Sequence, residues 1–408
     1  MCCAMSPPEK ENKMRVAYVC ADRGIPVFGQ KGCSIHVQEI IRAFLGKGLE
    51  IELIASRFDG QAPVDLGPVK VHALNKIGNQ QDMDFTHQVQ CMNDHVHGIL
   101  DQIGRVDFIY ERYSLWSTGA MAYAVKKGIP GILEVNAPLI VEEQTHRKLV
   151  HENLALQCEA SVFGDASFIL GVSDEVCRYV RSKAPFKQEA LIRTIPNGIN
   201  PNRFEGMENL RKRHHDAKYI TIGFIGSLKP WHGIETLIRA FSVLKNKYHQ
   251  ARLLIVGEGP QREQITEEIK RLGIEHCVEL TGAVPPEMVP ISLSRMDIAV
   301  APYPLMDQFY FSPLKVYEYM AAGLPVVVSQ IGQLKGLIDE GINGVFFQPG
   351  SEPSLVESLQ SLMDQPRLCA LLGQNARRKM LSRFTWGHVA GEILESVAKL
   401  KSDGVTAC

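Results

Sequence analysis

Residues 219–241 read YITIGFIGSLKPWHGIETLIRAF. An apolar run stops at Gly226, a loop carries Lys229, Trp231 and His232, and from Gly233 apolar residues recur at the spacing of one helix face. The order is strand, loop, helix. It repeats downstream, with strands at 251–257, 277–282, 297–303 and 324–329 and helical patterns at 233–248, 261–272, about 287–293 and 313–322. From Ser351 to about Leu400 the pattern is helical, with Trp386 anchoring the last segment. Short apolar strands that alternate with helices and close on Gly, Ser or Pro specify a parallel, doubly wound α/β sheet with ligand loops at the strand ends.

A second train of the same kind lies upstream. RVAYVC (15–20) leads through the glycine-punctuated GIPVFGQKG to a helix at about 34–47, whose Val37, Ile40, Ile41 and Phe44 share a face. Further strands are expected at 51–56, 69–74, 107–112, 131–136, 167–173 and 190–198. Between the trains, LRKRHHDAKY is polar, basic and aperiodic. The expected organisation is a disordered tail at 1–13, an N-terminal Rossmann-like domain at 14–200, a linker at 201–218, a C-terminal Rossmann-like domain at 219–384, and a C-terminal helix and tail at 385–408. Two such domains on one linker suggest a cleft between facing strand ends.

Composition is near the average for soluble globular domains. The 408 residues exceed the roughly 250–300 at which one core stops growing, so at least two domains are needed. Lys plus Arg number 44 against 45 Asp plus Glu, which argues against a dedicated nucleic-acid binder, and RKRHH (211–215) is read as a solvated linker rather than a membrane contact. Ten Cys are too sparse for a disulfide scaffold, so reduced thiols and a cytoplasmic location are expected. The opening MCCAMSPPEKENKM lacks the apolar core of a signal peptide, and a disordered tail is preferred to acylation at Cys2 or Cys3.

YFSPLKVYEYMAAGLPVVVS (310–329) carries the most chemistry. Ser312 suits an N-cap and Pro313 a first helical position, so the amides from Leu314 onward and the helix dipole would face an anion, with Lys315 adding a compact charge. Glu318 would stand about 8 to 9 Å further along, where a carboxylate can accept both hydroxyls of a ribose. On the residues alone, a capped helix with Lys and Glu in solvent explains the segment as well. In GSLKPWHG, Lys229 can neutralise a leaving diphosphate or belong to an ordinary βα turn; the string is not a P-loop. The turns GEGP (257–260), with Glu258, and LTGAV (280–284), ending on Val284, either meet a flat base or merely close a connection. GQKGCSIHV (29–37) offers the Gly32 amide and His36 at a helix start. There is no CxxC, HExxH or GxSxG, and no GxGxxG in the first βα loop, which disfavours zinc, serine-hydrolase and nicotinamide chemistry.

Taken in order, GFIGSLKPWHGIETLIRAF, LLIVGEGP, LTGAVPPEMVP, DIAVAPY and SPLKVYEYMAAGLPVVVS resemble the donor domain of retaining GT-B glycosyltransferases of family 4, the group 1 type. IPNGIN (195–200) is similar to the family's interdomain signature, and VCADRGIPVFGQKGCSIHVQEIIRAF to its N-terminal glycine loop and first helix. The likeness runs from about Met14 to Leu400. It implies a nucleotide-sugar donor on the C-terminal domain, a UDP-sugar ahead of a GDP-sugar, and a glycan, lipid-linked or small-molecule acceptor on the N-terminal domain. It further implies C-terminal helices that cross back to the N-terminal domain, retention of anomeric configuration, no cofactor and no essential metal, with peripheral membrane contact left open.

The family holds its donor with two glutamates eight apart. Glu318 matches the second; Tyr310 stands at the first, with Asp307 a candidate replacement. The family's phosphate-binding Arg and Lys fall on Ser227 and His232, so Lys229 and Lys315 are expected to take over. Asn136 stands near the family's sugar-facing loop histidine. Lys315, Lys229, Glu318 and Asn136 are therefore the expected catalytic set, with donor contacts from Gly32, Ser227, His232, Glu258, Val284, Asp307, Tyr310 and Ser312-Pro313-Leu314. Two rivals remain, a nucleotide-sugar epimerase on the same fold and a noncatalytic nucleotide-sugar-binding partner protein.

Overall fold

The computed structural model describes residues 13–188, 191–307, 309, 310 and 312–403. Cys2, Cys3 and the rest of 1–12 lie outside the described residues, as do 404–408. Seven strands form the first sheet: β1 Arg15–Cys20, β2 Glu50–Ala55, β3 Lys70–Ala73, β4 Phe108–Arg112, β5 Gly131–Val135, β6 Phe168–Gly171 and β7 Ile192–Thr194. All pair in parallel, in the order β3-β2-β1-β4-β5-β6-β7. The second sheet has β8 Ile220–Ile225, β9 Ala251–Val256, β10 Val278–Gly282, β11 Ile298–Ala301, β12 Val326–Ser329 and β13 Val345–Phe347, again parallel, in the order β10-β9-β8-β11-β12-β13.

Strands buried on both faces must be apolar throughout, which is why they read as unbroken runs. In the second sheet Leu254 and Val256 enter one core cluster, while Leu253 and Ile255 enter the other. In each sheet the strand order reverses once, between β1 and β4 and between β8 and β11. Such reversals splay the following loops apart and open a crevice at the carboxyl ends of the strands.

By contact, residues up to Gly171, Cys177–Thr194 and the chain from Ala390 form one unit, and Val172–Val176 with Ile195–Val389 form the other. The helix Trp386–Ser402 thus crosses to the first unit, burying Ile393 and Val397 and placing Lys401 Nζ 3.5 Å from Asp107. The segment 201–218 is not a solvated linker. It holds a 3₁₀ turn, Pro201–Phe204, and a helix, Met207–His214. Asn200 caps the turn by accepting from the Asn202 amide, Phe204 and Met207 are buried, and Arg211 and His215 both bind Asp297. Two apolar anchors among many charges leave no periodicity to read. The helical stretch after Ser351 is three helices, Glu352–Met363, Pro366–Arg383 and Trp386–Ser402. Among the described residues no helix is long and apolar enough to cross a membrane, and none of the seven described cysteines forms a disulfide.

Candidate functional site

The helix Leu314–Ala321 is fixed by Tyr319, whose buried hydroxyl accepts from the Ile225 amide (2.7 Å) and donates to the Ile225 carbonyl (3.2 Å). One turn earlier on the same face, Lys315 is thereby aimed at the end of β8. Pro313, not Ser312, occupies the N-cap, and Ser312 makes no capping bond; its Oγ is buried without a hydrogen-bond partner. The Ser-Pro step is displaced by one residue because Pro313 takes a non-helical ψ of 71°. The Leu314 amide is taken by the Ser312 carbonyl and the Val316 amide by the Pro313 carbonyl, so the expected row of free amides is shorter than anticipated.

Lys315 Nζ is buried with no hydrogen-bond partner. It lies 4.4 Å from the centre of the Phe224 ring and 5.1 Å from that of Tyr303, and it touches the backbone where β8 ends. A Cβ on residue 226 would come within 2.9 Å of this nitrogen, and φ at Gly226 is +148°, so glycine is needed there twice over. The two rings stabilise the ammonium only in part. Burial pushes Lys315 down to about 7.

Around Gly226 the structure gathers Ser227 and His232. His232 Nδ1 donates to the Ser227 carbonyl, and the imidazole packs against Phe224 and Tyr303. Burial first, then Lys315, and to a smaller extent Lys229, bring His232 down to about 4. It is therefore a neutral imidazole at neutral pH and adds no positive charge. Lys229 Nζ lies over the Trp231 ring, 5.6 Å from its centre.

Glu318 is held by a residue not expected from sequence. Arg203, in the Pro201–Phe204 turn, donates through Nη1 to Glu318 Oε1 (3.1 Å) and through Nη2 to the Pro286 carbonyl (2.8 Å). Burial raises Glu318 above the usual carboxylate range, and Arg203 opposes this. One guanidinium so ties the carboxylate to the loop that begins at Val284. The Asn-Pro step that opens the turn was visible in IPNGINPNRF, but nothing in the string linked it to Glu318. Glu258 bonds the Gly259 amide (3.1 Å) and pairs with Arg262 (3.2 Å). Asp307 is exposed, and the Tyr310 carbonyl accepts from Ser173 Oγ (2.7 Å).

The first unit holds Gly32 and Asn136. Gly32 opens the helix Gly32–Gly46, is exposed, and has nothing within 4 Å of where a Cβ would stand. Asn136 follows β5, its Nδ2 buried without a partner. His36 is bonded through Nε2 to Glu134 Oε1, both side chains almost fully buried. Burial alone would raise Glu134, yet His36 and Arg112 bring it down to about 2. His36 is thus tied to a buried carboxylate. Its partners were hinted at by charges inside the apolar strands DFIYER and GILEVN, since buried charges need partners.

Residues 31–203 match the family Glycosyltransferase Family 4, and residues 207–379 match Glycosyl transferases group 1. The chain is 29% identical over 401 residues to the uncharacterized glycosyltransferase MJ1607 of Methanocaldococcus jannaschii, covering 93% of this chain and 96% of that protein. Among solved structures, sucrose-phosphate synthase from Thermosynechococcus elongatus superposes with a TM-score of 0.75 at 18% identity, over 96% of this chain and all (100%) of that one. Anabaena Alr3699/HepE in complex with UDP and glucose gives 0.69 at 18% identity, over 95% and 100%. Two family matches end to end, on two parallel α/β units, mean that the chain belongs to the GT-B glycosyltransferases of the group 1, family 4 type.

Proposed function

We propose that the chain transfers a sugar from a nucleoside-diphosphate sugar, a UDP-sugar before a GDP-sugar, to an acceptor hydroxyl with retention of anomeric configuration. The observation that carries this is the buried Lys315 ammonium without a hydrogen-bond partner, at the strand-order reversal of the second sheet. A cation so placed is satisfied by an anion, and the diphosphate of such a donor supplies one. Glu318, held by Arg203, takes the ribose hydroxyls, and the backbone at Val284 meets the base. A similar fold has been crystallised with UDP and glucose.

In this reading the acceptor oxygen attacks C1 on the face from which the diphosphate departs. The C1–O bond to the β-phosphate breaks as the new C1–O bond forms, and the leaving phosphate oxygen takes the hydroxyl proton. Lys315 and Lys229 offset the charge that develops, so the reaction takes no metal ion and persists in EDTA. The test is thermal unfolding with UDP, GDP, ADP or buffer alone, for wild type and Glu318→Ala. A nucleotide at about 100 times its Kd adds about 2.7 kcal/mol to the unit that binds it. One nucleotide stabilising the wild type and not Glu318→Ala supports the reading; no nucleotide doing so overturns it. Donor incubated without acceptor then separates transfer from epimerisation, since only an epimerase alters the sugar.

A further inference from the structure

We propose that the first unit carries an oxyanion site, built from Arg112, Ser34 and Asn136, that holds a phosphate or carboxylate group on the acceptor. The proposal rests on the transferase reading above for the word acceptor, but the site is argued from the first unit alone. Arg112 is the last residue of β4, and β4 lies beside β1 where the strand order of this sheet reverses. Arg112 Nη1 is screened from solvent and has no hydrogen-bond partner. Ser34, in the first turn of the fifteen-residue helix Gly32–Gly46, is 0% exposed, and its Oγ has no partner either. Asn136 Nδ2, one residue beyond β5, is a third such atom.

Three elements therefore bring buried, unsatisfied donors to one end of one sheet. Leaving such groups unmade is costly, and a guanidinium, a hydroxyl and an amide N–H are together satisfied by an oxyanion. The helix adds its amino-terminal dipole, and Lys31 at its N-cap makes no side-chain capping bond. Two carboxylates flank Arg112, and neither accepts a hydrogen bond from its Nη1. Glu134, its register partner on β5, is bonded through Oε1 to His36, and Glu111, on the other face of β4, is pushed by burial up to about 8 and is largely uncharged at neutral pH.

The test is thermal unfolding and calorimetric titration of the full chain with inorganic phosphate, against chloride at matched ionic strength, with and without saturating UDP. Phosphate at about ten times its Kd is expected to raise Tm by about 3 °C, whether or not UDP is bound. The shift should vanish in Arg112→Met, return in part in Arg112→Lys, and shrink in Ser34→Ala, which keeps the proposal decidable if Arg112→Met does not fold. No shift in wild type overturns it. So does a shift that UDP abolishes, because the phosphate then occupies the donor site, and so does a shift that survives both Arg112→Met and Ser34→Ala. If UDP itself binds nowhere, the donor reading fails while the phosphate shift and its loss in the variants still decide this one. Glucose 6-phosphate binding more tightly than glucose, and only with Arg112 present, would extend the result from the free ion to an acceptor.

Discussion

Replacing Lys315 with Met should have opposite effects on affinity and on stability, and both depend on pH. Unliganded Lys315 sits near 7 because its ammonium is buried between Phe224, Tyr303 and Gly226 with no oxygen to bond. A bound diphosphate favours the charged form, so binding draws in a proton whenever the free site is neutral. If only protonated sites bind, the Kd for UDP rises about fivefold from pH 7 to 8 and about fiftyfold from pH 7 to 9. Lys315→Met should bind weakly and with no such slope. For stability, the unfolded lysine titrates at 10.5, so between about 7 and 10.5 the unfolded chain binds more protons and stability rises with pH. The cost of the buried charge is complete below pH 7, where Lys315→Met should stabilise the unliganded protein by at most about 5 kcal/mol, fading to nothing near pH 10.5. Titration calorimetry in buffers of different ionisation enthalpy reads the proton uptake directly. A wild-type Kd flat from pH 7 to 9, or the same slope in Lys315→Met, would refute the reasoning.

Arg203→Ala should raise the KM for donor by about 10- to 100-fold with kcat little changed, and Arg203→Lys should recover part of it, because the ion pair to Glu318 returns while the bond to Pro286 does not; equal loss in both variants would point to a purely structural role. Gly226→Ala should fold, at a cost of about 1–2 kcal/mol for its backbone angle, yet lose the pH-dependent part of UDP binding as its methyl displaces the ammonium. Glu134→Gln should cost about 3–5 kcal/mol near neutral pH by breaking a buried pair. Since Glu134 is held near 2 against 4.5 when unfolded, its contribution is complete above about pH 4.5 and is lost as pH falls towards 2, so the variant's deficit in urea unfolding should shrink on acidification.

Most of the strands were legible because a sheet covered on both faces leaves no room for polar alternation. β13 was missed for the opposite reason: it is three residues long, lies at an edge, and buries only Phe347. At the site, Lys315 and Glu318 could be read from one string, as could the glycine at the end of β8. What Lys315 would meet could not. Phe224 and Tyr303 lie 79 residues apart and become neighbours only because β8 pairs with β11. Arg203 and Glu318 are likewise 115 residues apart. His232 was the misleading residue, since its place in a cationic loop concealed an aromatic setting that keeps it neutral.

The helix Trp386–Ser402 bears on how the chain is made. Its residues from Ala390 on pack with a unit whose other parts end at Thr194, and roughly 200 residues of the second unit are synthesised in between. At about 5–20 residues per second, the first sheet waits some 10–40 seconds for the segment that places Ile393 and Val397 against it. Meanwhile the second unit can close, so the part translated first is the part finished last. The apolar surface left open during that interval is where nascent-chain chaperones would bind, and where a ribosome stalled before residue 390 would release a chain prone to aggregate.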